Sequence, residues 1–206
     1  LANKECLLSS TYEPSSKTKM KLRAAPGAGT MYLQSECAEA LAELFAGAEE
    51  AGYKLYLKSA YRAYKTQKTM YNNRLERNNG KDDGWVSKAG ASDHQTGLGC
   101  DVVPGSWKDK SMNSNMASTP ECQWMAEHCY EYGFVIRYPE DKQDITEINY
   151  EPWHLRYVGK EVARYIWRNG LCLEEFHEQL QAAIDAYLAA GGDARRVEDL
   201  IQTSAE

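Results

Sequence analysis

Apolar residues recur every three or four positions in several stretches of the chain, as along a helix that packs one face against a core. The first such stretch begins at Ser35, a residue type that often forms an N-cap, and stops at Gly52. Its apolar face comprises Ala38, Leu41, Leu44, Phe45 and Ala48. Further helices are predicted over residues 65–79, 119–133, 160–169, 173–190 and 194–203.

Short runs of apolar and polar residues between these helices predict strands. They cover residues 53–59, 97–103, 134–138, 145–148 and 153–158. Strands and helices follow one another without the regular strand–helix–strand order of a parallel sheet. This mixture predicts an α+β fold with a small, mostly antiparallel sheet flanked by helices. Residues 1–34, with prolines and glycines among polar residues, predict an irregular N-terminal arm.

The composition excludes some classes of function. A chain of 206 residues with 43% hydrophobic and 26% charged residues is typical of a globular protein. Its formal net charge of −6 gives no indication of nucleic-acid binding. No stretch approaches the ~18 consecutive apolar residues of a transmembrane helix. Because the chain begins at Leu1 rather than methionine, we expect it to be processed or trimmed, so that a secretion signal or an anchor has been removed.

The six cysteines permit disulfides without requiring them. On one helix, Cys122 and Cys129 would lie about 10.5 Å apart, which exceeds the ~7 Å that a disulfide spans. We therefore expect no bond between these two. The chain has no CxxC pair, which argues against a zinc ribbon or a thioredoxin-like redox motif.

The stretch ASDHQTGLGCDVVP, residues 91–104, combines ionisable residues with glycines where a loop enters a predicted strand. His94 precedes Asp101 by seven residues, and two valines after Asp101 indicate a buried strand. A surface loop that leads into a strand would explain the stretch without any chemistry; the alternative is half of a metal site. Adjacent residues of a strand point to opposite faces, so Cys100 should face away from a metal held by Asp101.

A second candidate pair lies in YEPWHLRYVG, residues 150–159. Pro152 restricts Glu151 to extended conformations, which keeps this carboxylate close to His154 without a shared helix. His154 together with the histidine and aspartate of the first stretch would offer two nitrogens and one oxygen. That is a suitable ligand set for zinc, and it leaves a fourth position open for water.

The stretch SAYRAYKTQ, residues 59–67, passes from a predicted strand into a predicted helix. Arg62 could hold a carboxylate there through two parallel hydrogen bonds. The alternative is a surface arginine near a helix start, where the helix dipole slightly disfavours a cation. The remaining histidines, His128 and His177, lie beside charged residues in predicted helices, and we interpret both as surface residues.

Taken together, these segments resemble the VanY-type D-alanyl-D-alanine carboxypeptidases. These are zinc peptidases of bacterial peptidoglycan, in the wider group that includes lysostaphin-type peptidases and the hedgehog domain. The matching segments are SAYRAYKTQ, SDHQTGLGCDVV, YGFVIRYP, DIT and YEPWHLRYVG, in family order. The resemblance divides the chain into an arm over residues 1–34, a zinc carboxypeptidase domain over 35–178 and a helical C-terminal extension over 179–206.

The resemblance implies a role for seven residues. The zinc ligands match His94, Asp101 and His154, at one face of the sheet, and the catalytic base matches Glu151. The residues that match the binding site for the substrate's terminal carboxylate are Arg62, Gln67 and Ser92. The chain departs from the family pattern at Ala60, where glycine is usual, and at Asp93, where glutamate is usual.

The implied activity is that of a zinc-dependent D,D-carboxypeptidase, which removes the terminal D-alanine from peptidoglycan stem peptides. One alternative is an L,D-carboxypeptidase of the same family that acts on tetrapeptide stems. Another is a non-catalytic zinc-containing cell-wall binding module, against which the presence of Glu151 argues. We expect a monomer that acts outside the cytoplasmic membrane, either secreted or anchored through a segment absent from this chain.

Overall fold

The computed structural model describes residues 1–197, and its elements confirm the α+β class. The strands among these residues are β1 (Thr18–Lys19), β2 (Tyr32–Leu33), β3 (Leu55–Ser59), β4 (Gly99–Pro104), β5 (Phe134–Ile136) and β6 (His154–Tyr157). The first two pair with each other, and the other four form one sheet in the order β3-β4-β6-β5. All of its pairings are antiparallel, as the sequence predicts.

Helices flank this sheet. In the described part of the chain they are α1 (Ser35–Glu50), α2 (Tyr64–Arg77), α3 (Pro120–His128), α4 (Gln143–Thr146), α5 (Lys160–Asn169) and α6 (Leu173–Ala189). The helix predicted over residues 194–203 extends into residues 198–206, which lie outside the described residues. None of the described helices is both long enough and apolar enough to cross a membrane.

The start of α3 agrees with the predicted helix over residues 119–133, but the α-helix ends at His128, short of residue 133. The Thr119 side chain accepts a hydrogen bond from the Cys122 backbone N–H at 3.3 Å, and Pro120 occupies the first turn. After His128 the chain continues as a 3-10 turn to Gly133, whose φ of 86° closes it in the left-handed region that glycine tolerates. Cys122 and Cys129 therefore do not share one continuous α-helix.

The strand predicted over residues 145–148 is wrong. Residues 143–146 form the single helical turn α4, and Glu147 follows it with a φ of 55°. The Thr146 hydroxyl donates to the Ile148 carbonyl at 3.3 Å, and the Gln143 side chain accepts from the Tyr150 N–H at 3.0 Å. These local hydrogen bonds pair backbone groups with side chains and so stabilise a turn. The pattern of apolar residues over 145–148 does not reveal such bonds.

The main core lies between the sheet and the helices α1 and α3. Its fully buried side chains include Leu41, Leu44, Leu57, Met125 and Phe134. Cys100 belongs to this core together with Cys37, as strand alternation predicts for the residue next to Asp101. All six cysteines lie among the described residues, and each of them is free.

The N-terminal arm runs along the domain. Ala24 forms a parallel bridge with Leu57 of β3, and the Ala25 N–H donates to the Leu57 carbonyl at 2.8 Å. At the other end of the chain, α6 crosses the boundary expected at residue 178 without a break. Its first turn is buried, whereas Leu180 and Tyr187 further along are exposed.

Candidate active site

Strand pairing brings two candidate ligands together at one face of the sheet. Asp101 of β4 and His154 of β6 are register partners, so their side chains lie on the same face of neighbouring strands. His94 reaches them from a 3-10 turn, Asp93–Thr96, that precedes β4. One ligand atom from each of these three buried residues lies within 4.8 Å of the others.

The ring of His94 has a defined orientation. Its Nδ1 lies 2.7 Å from the carbonyl oxygen of Ala60 and must donate there, because a carbonyl only accepts. Its Nε2 then faces Oδ2 of Asp101 at 3.4 Å. Burial and the charge of Arg62 lower the pKa of His94, which disfavours a second ring proton. A nitrogen lone pair and a carboxylate oxygen thus face each other, an arrangement that a cation between them would stabilise.

His154 completes this arrangement. Its Nδ1 lies 3.1 Å from Oδ1 of Asp101 and 3.6 Å from Oε2 of Glu151, while its buried Nε2 has no hydrogen-bond partner among the described residues. Burial alone would raise the pKa of Asp101, but the two histidines lower it, so this residue is a carboxylate. Two imidazole nitrogens and one carboxylate oxygen therefore fit a divalent transition metal such as zinc.

Glu151 lies at the edge of the same group. Its N–H donates to the Tyr138 carbonyl and its own carbonyl accepts from the His154 N–H, both at 3.1 Å, so a turn holds it beside His154. Burial, followed by the negative charge of Asp101, raises the pKa of Glu151 well above its usual range, while Arg62 opposes this shift. A carboxylate with a raised pKa is a stronger base than an exposed one.

Arg62, Gln67 and Ser92 lie in the same cavity as these groups, which has a volume of about 400 Å³. The guanidinium of Arg62 donates through Nη1 to Oε1 of Gln67 at 2.8 Å and through Nη2 to Oγ of Ser59 at 3.0 Å. Its backbone N–H also donates to the His94 carbonyl at 3.0 Å. The structure therefore brings all seven predicted site residues to one cavity.

Aromatic residues that the sequence analysis did not single out form walls of this cavity. The rings of Trp85 and Trp153 are stacked with their centroids 6.4 Å apart, and the Tyr138 ring lies 5.1 Å from that of His154. Trp153 and Tyr138 lie inside the motifs that carry the family resemblance. Trp85 lies in a loop between α2 and the turn that carries His94, and its position in the sequence gives no indication of its place in the cavity.

Gly97 and Gly99 shape the turn that carries His94. Gly97 has a φ of 70° and closes the 3-10 turn. A Cβ on Gly99 would lie 2.8 Å from Cβ of Asp93 and 3.0 Å from its backbone carbon, closer than side chains pack. Asp93 can therefore approach β4 only because residue 99 has no side chain.

Comparisons with known proteins identify the family to which the chain is similar. The family model VanY, D-alanyl-D-alanine carboxypeptidase, matches residues 30–160. A putative carboxypeptidase of Bacillus subtilis, YodJ, is 39% identical over 184 residues, which are 88% of this chain and 67% of that protein.

Two solved structures are similar to this chain in fold as well as in sequence. The LdcB LD-carboxypeptidase superimposes with a TM-score of 0.81 at 39% identity, covering 86% of this chain and 84% of that one. A mutant of the vancomycin resistance D,D-pentapeptidase VanY from the VanB-type cassette, in complex with Zn(II), gives a TM-score of 0.70 at 28% identity. That match covers 85% of this chain and 96% of the other.

The fold, the clustered site and these relatives define an enzyme of the carboxypeptidase class. Within that class, the chain belongs to the VanY family of D-alanyl-D-alanine carboxypeptidases.

Proposed function

We propose that the protein is a zinc-dependent D,D-carboxypeptidase that releases the terminal D-alanine of peptidoglycan stem peptides. The observation that carries this proposal is the convergence of His94, Asp101 and His154 with a buried glutamate in one cavity. A cavity that also contains an arginine suits a substrate that ends in a carboxylate. The relatives named above support hydrolysis of a C-terminal peptide bond.

In this proposal the metal is held by Nε2 of His94, the carboxylate of Asp101 and Nδ1 of His154. Zinc bound there would acidify a water molecule and polarise the scissile carbonyl group. The hydrogen bond from His94 to the Ala60 carbonyl keeps the ring tautomer that leaves Nε2 free to bind. The likeness to a zinc-containing VanY structure supports the choice of this metal.

Glu151 is proposed as the proton-transfer group. Its carboxylate lies next to His154 and is positioned by a turn, so it can accept a proton from water and deliver it to the leaving amine. The burial that raises its pKa favours proton acceptance at this position. Because water is the nucleophile, no covalent link between the chain and the peptide is required.

Arg62, Gln67 and Ser92 are proposed to bind the terminal carboxylate. The planar guanidinium can donate two parallel hydrogen bonds to a carboxylate. Gln67 supports it through Oε1 and is itself tied to the Ser87 carbonyl by a hydrogen bond of 2.6 Å. This arrangement would select peptides with a free C-terminus and so favour a carboxypeptidase over an endopeptidase.

An L,D-carboxypeptidase that acts on tetrapeptide stems is the second candidate. The structural likeness to LdcB, with a TM-score of 0.81, exceeds the likeness to the D,D-pentapeptidase, with a TM-score of 0.70. Both reactions release a C-terminal D-alanine, so they share the carboxylate site and differ in the residue before the scissile bond. Both substrates lie outside the cytoplasmic membrane, which supports an extracytoplasmic location.

One experiment tests the proposal and separates the two candidates. The metal content of the purified protein is measured, and the protein is incubated with a pentapeptide stem and a tetrapeptide stem, with and without a chelator. Mass spectrometry then detects the released D-alanine. We expect one zinc per chain and chelator-sensitive cleavage of the pentapeptide. Cleavage of the tetrapeptide alone would favour the L,D activity, and cleavage of neither stem by zinc-loaded protein would refute the proposal.

A further inference from the structure

Four charged side chains are buried together next to the candidate metal centre. They are Asp93, Arg137, Arg156 and Glu174. Arg137 lies in the middle of this group and has no exposed surface. The two positive and two negative charges cancel, which matters because a buried charge without a partner is strongly destabilising. Each member of the group therefore depends on the positions of the others.

The guanidinium of Arg137 contacts two carboxylates at once. Its Nε donates to Oδ2 of Asp93 at 2.7 Å, and its Nη1 and Nη2 donate to the two oxygens of Glu174 at 2.8 and 2.6 Å. Arg156 donates to the other oxygen of Asp93. Paired arginine–carboxylate bonds fix orientation as well as distance. The position of Glu174 therefore determines the direction in which Arg137 presents Nε to Asp93.

Arg137 is also connected to both histidines of the candidate site. Its backbone N–H donates to the His154 carbonyl at 3.0 Å. Its side chain holds Asp93, which immediately precedes His94 in the 3-10 turn. The turn with one histidine and the strand with the other thus contact the same arginine, the first through its side chain and the second through its backbone.

Glu174 belongs to the first turn of α6, beyond the residues 30–160 that the family model matches. We propose that Glu174 is a positioning residue, which acts through Arg137 and Asp93 to set the separation of His94 and His154 and hence the metal affinity of the site. The C-terminal helix would then contribute to metal binding without contacting the metal. This inference rests on the metal site of the proposed function.

Two substitutions and a matched control test the inference. Glu174→Gln keeps the shape of the side chain and removes its charge, whereas Glu174→Asp keeps the charge and shortens the side chain by one methylene. Glu175→Gln makes the same change one residue later, where the carboxylate bonds Lys142 and the Cys172 N–H at the same helix start. The measurements are the Zn²⁺ dissociation constant, by competition with a chromophoric chelator, the absorption spectrum of the Co²⁺-loaded protein, and the melting temperature.

We expect Glu174→Gln to weaken Zn²⁺ binding by about ten- to a hundred-fold, the range seen when groups that orient metal ligands are removed. Its Co²⁺ spectrum should shift, because the spectrum reports the geometry of the ligands. Glu174→Asp should show a smaller loss in the same direction. Glu175→Gln should lower the melting temperature, since it removes helix-start contacts, and should leave the zinc affinity and the Co²⁺ spectrum as in the parent protein.

The inference fails if Glu174→Gln retains the parent's zinc affinity and Co²⁺ spectrum, or if it loses no more affinity than Glu175→Gln. Should Glu174→Gln not fold, an unchanged zinc affinity in Glu174→Asp would overturn the inference in the same way. A parent protein that binds no zinc would refute the proposed metal site and this inference with it. Zinc binding by the parent that is insensitive to residue 174 would refute this inference alone.

Discussion

Asp101 and His154 are register partners on neighbouring antiparallel strands, and their Oδ1 and Nδ1 atoms lie 3.1 Å apart. A single register pair therefore fixes two of the three candidate metal ligands. A shift of either strand by one residue would turn one of these side chains to the opposite face of the sheet. The position of the candidate site thus depends on the same hydrogen bonds that hold the sheet together.

Replacing His154 tests the ligand set. We expect His154→Ala to lose stoichiometric Zn²⁺, because only one imidazole and one carboxylate would remain, and to lose peptide hydrolysis with it. Metal analysis after dialysis against a metal-free buffer measures the first effect. The control is His128→Ala, since His128 contacts Glu131 on the surface and should not affect zinc content. One zinc per chain in His154→Ala would mean that the ligand set is wrong.

Much of the fold could be predicted from local patterns. The extent of α1 follows from apolar periodicity and the start of α3 from Thr119 and Pro120, whereas α3 ends at His128 rather than at the predicted residue 133. The turn α4 could not be predicted, because it depends on side-chain hydrogen bonds of Gln143 and Thr146 that a hydrophobic pattern does not record. Local propensity is decisive only where long-range and side-chain contacts do not compete with it.

The candidate site could be predicted because its motifs lie in short segments that the family resemblance identifies. The group around Arg137 could not, because a buried arginine and an exposed one look alike in a sequence. Glu174 in particular has the appearance of an ordinary acidic residue in the first turn of a helix. Only the fold reveals that its carboxylate is buried against Arg137.

Glu151→Gln tests the proton-transfer role. The amide has nearly the size of the carboxylate but cannot accept a proton from water, so we expect kcat to fall by about 10² to 10⁴. Zinc content should be unchanged, because Glu151 is not one of the proposed ligands. The control is Glu140→Gln, which lies outside the cavity and should retain full turnover. Activity near the parent level in zinc-loaded Glu151→Gln would show that another group transfers the proton.

Arg62→Ala tests recognition of the terminal carboxylate. Hydrogen bonds to charged groups are worth about 1.5–3 kcal/mol, so we expect kcat/KM for a free stem peptide to fall by roughly ten- to a hundred-fold. The parent protein should discriminate strongly against the same peptide with an amidated C-terminus, and Arg62→Ala should not. Arg77→Ala, at the exposed end of α2, is the matched control. Equal cleavage of free and amidated peptides by the parent protein would contradict the role.

Gly99→Ala tests the close contact between β4 and the turn that carries His94. The added Cβ would lie 2.8 Å from Cβ of Asp93, so the turn must move. Overpacking of this kind destabilises by about 1–3 kcal/mol, and we expect weaker zinc binding as well, because Asp93 directly precedes His94. Gly29→Ala is the control, since a Cβ there meets no atom within 4 Å. Chemical denaturation measures the stability of both variants, and zinc titration measures their zinc affinity. If Gly99→Ala matched Gly29→Ala in both quantities, the turn could shift without altering the site.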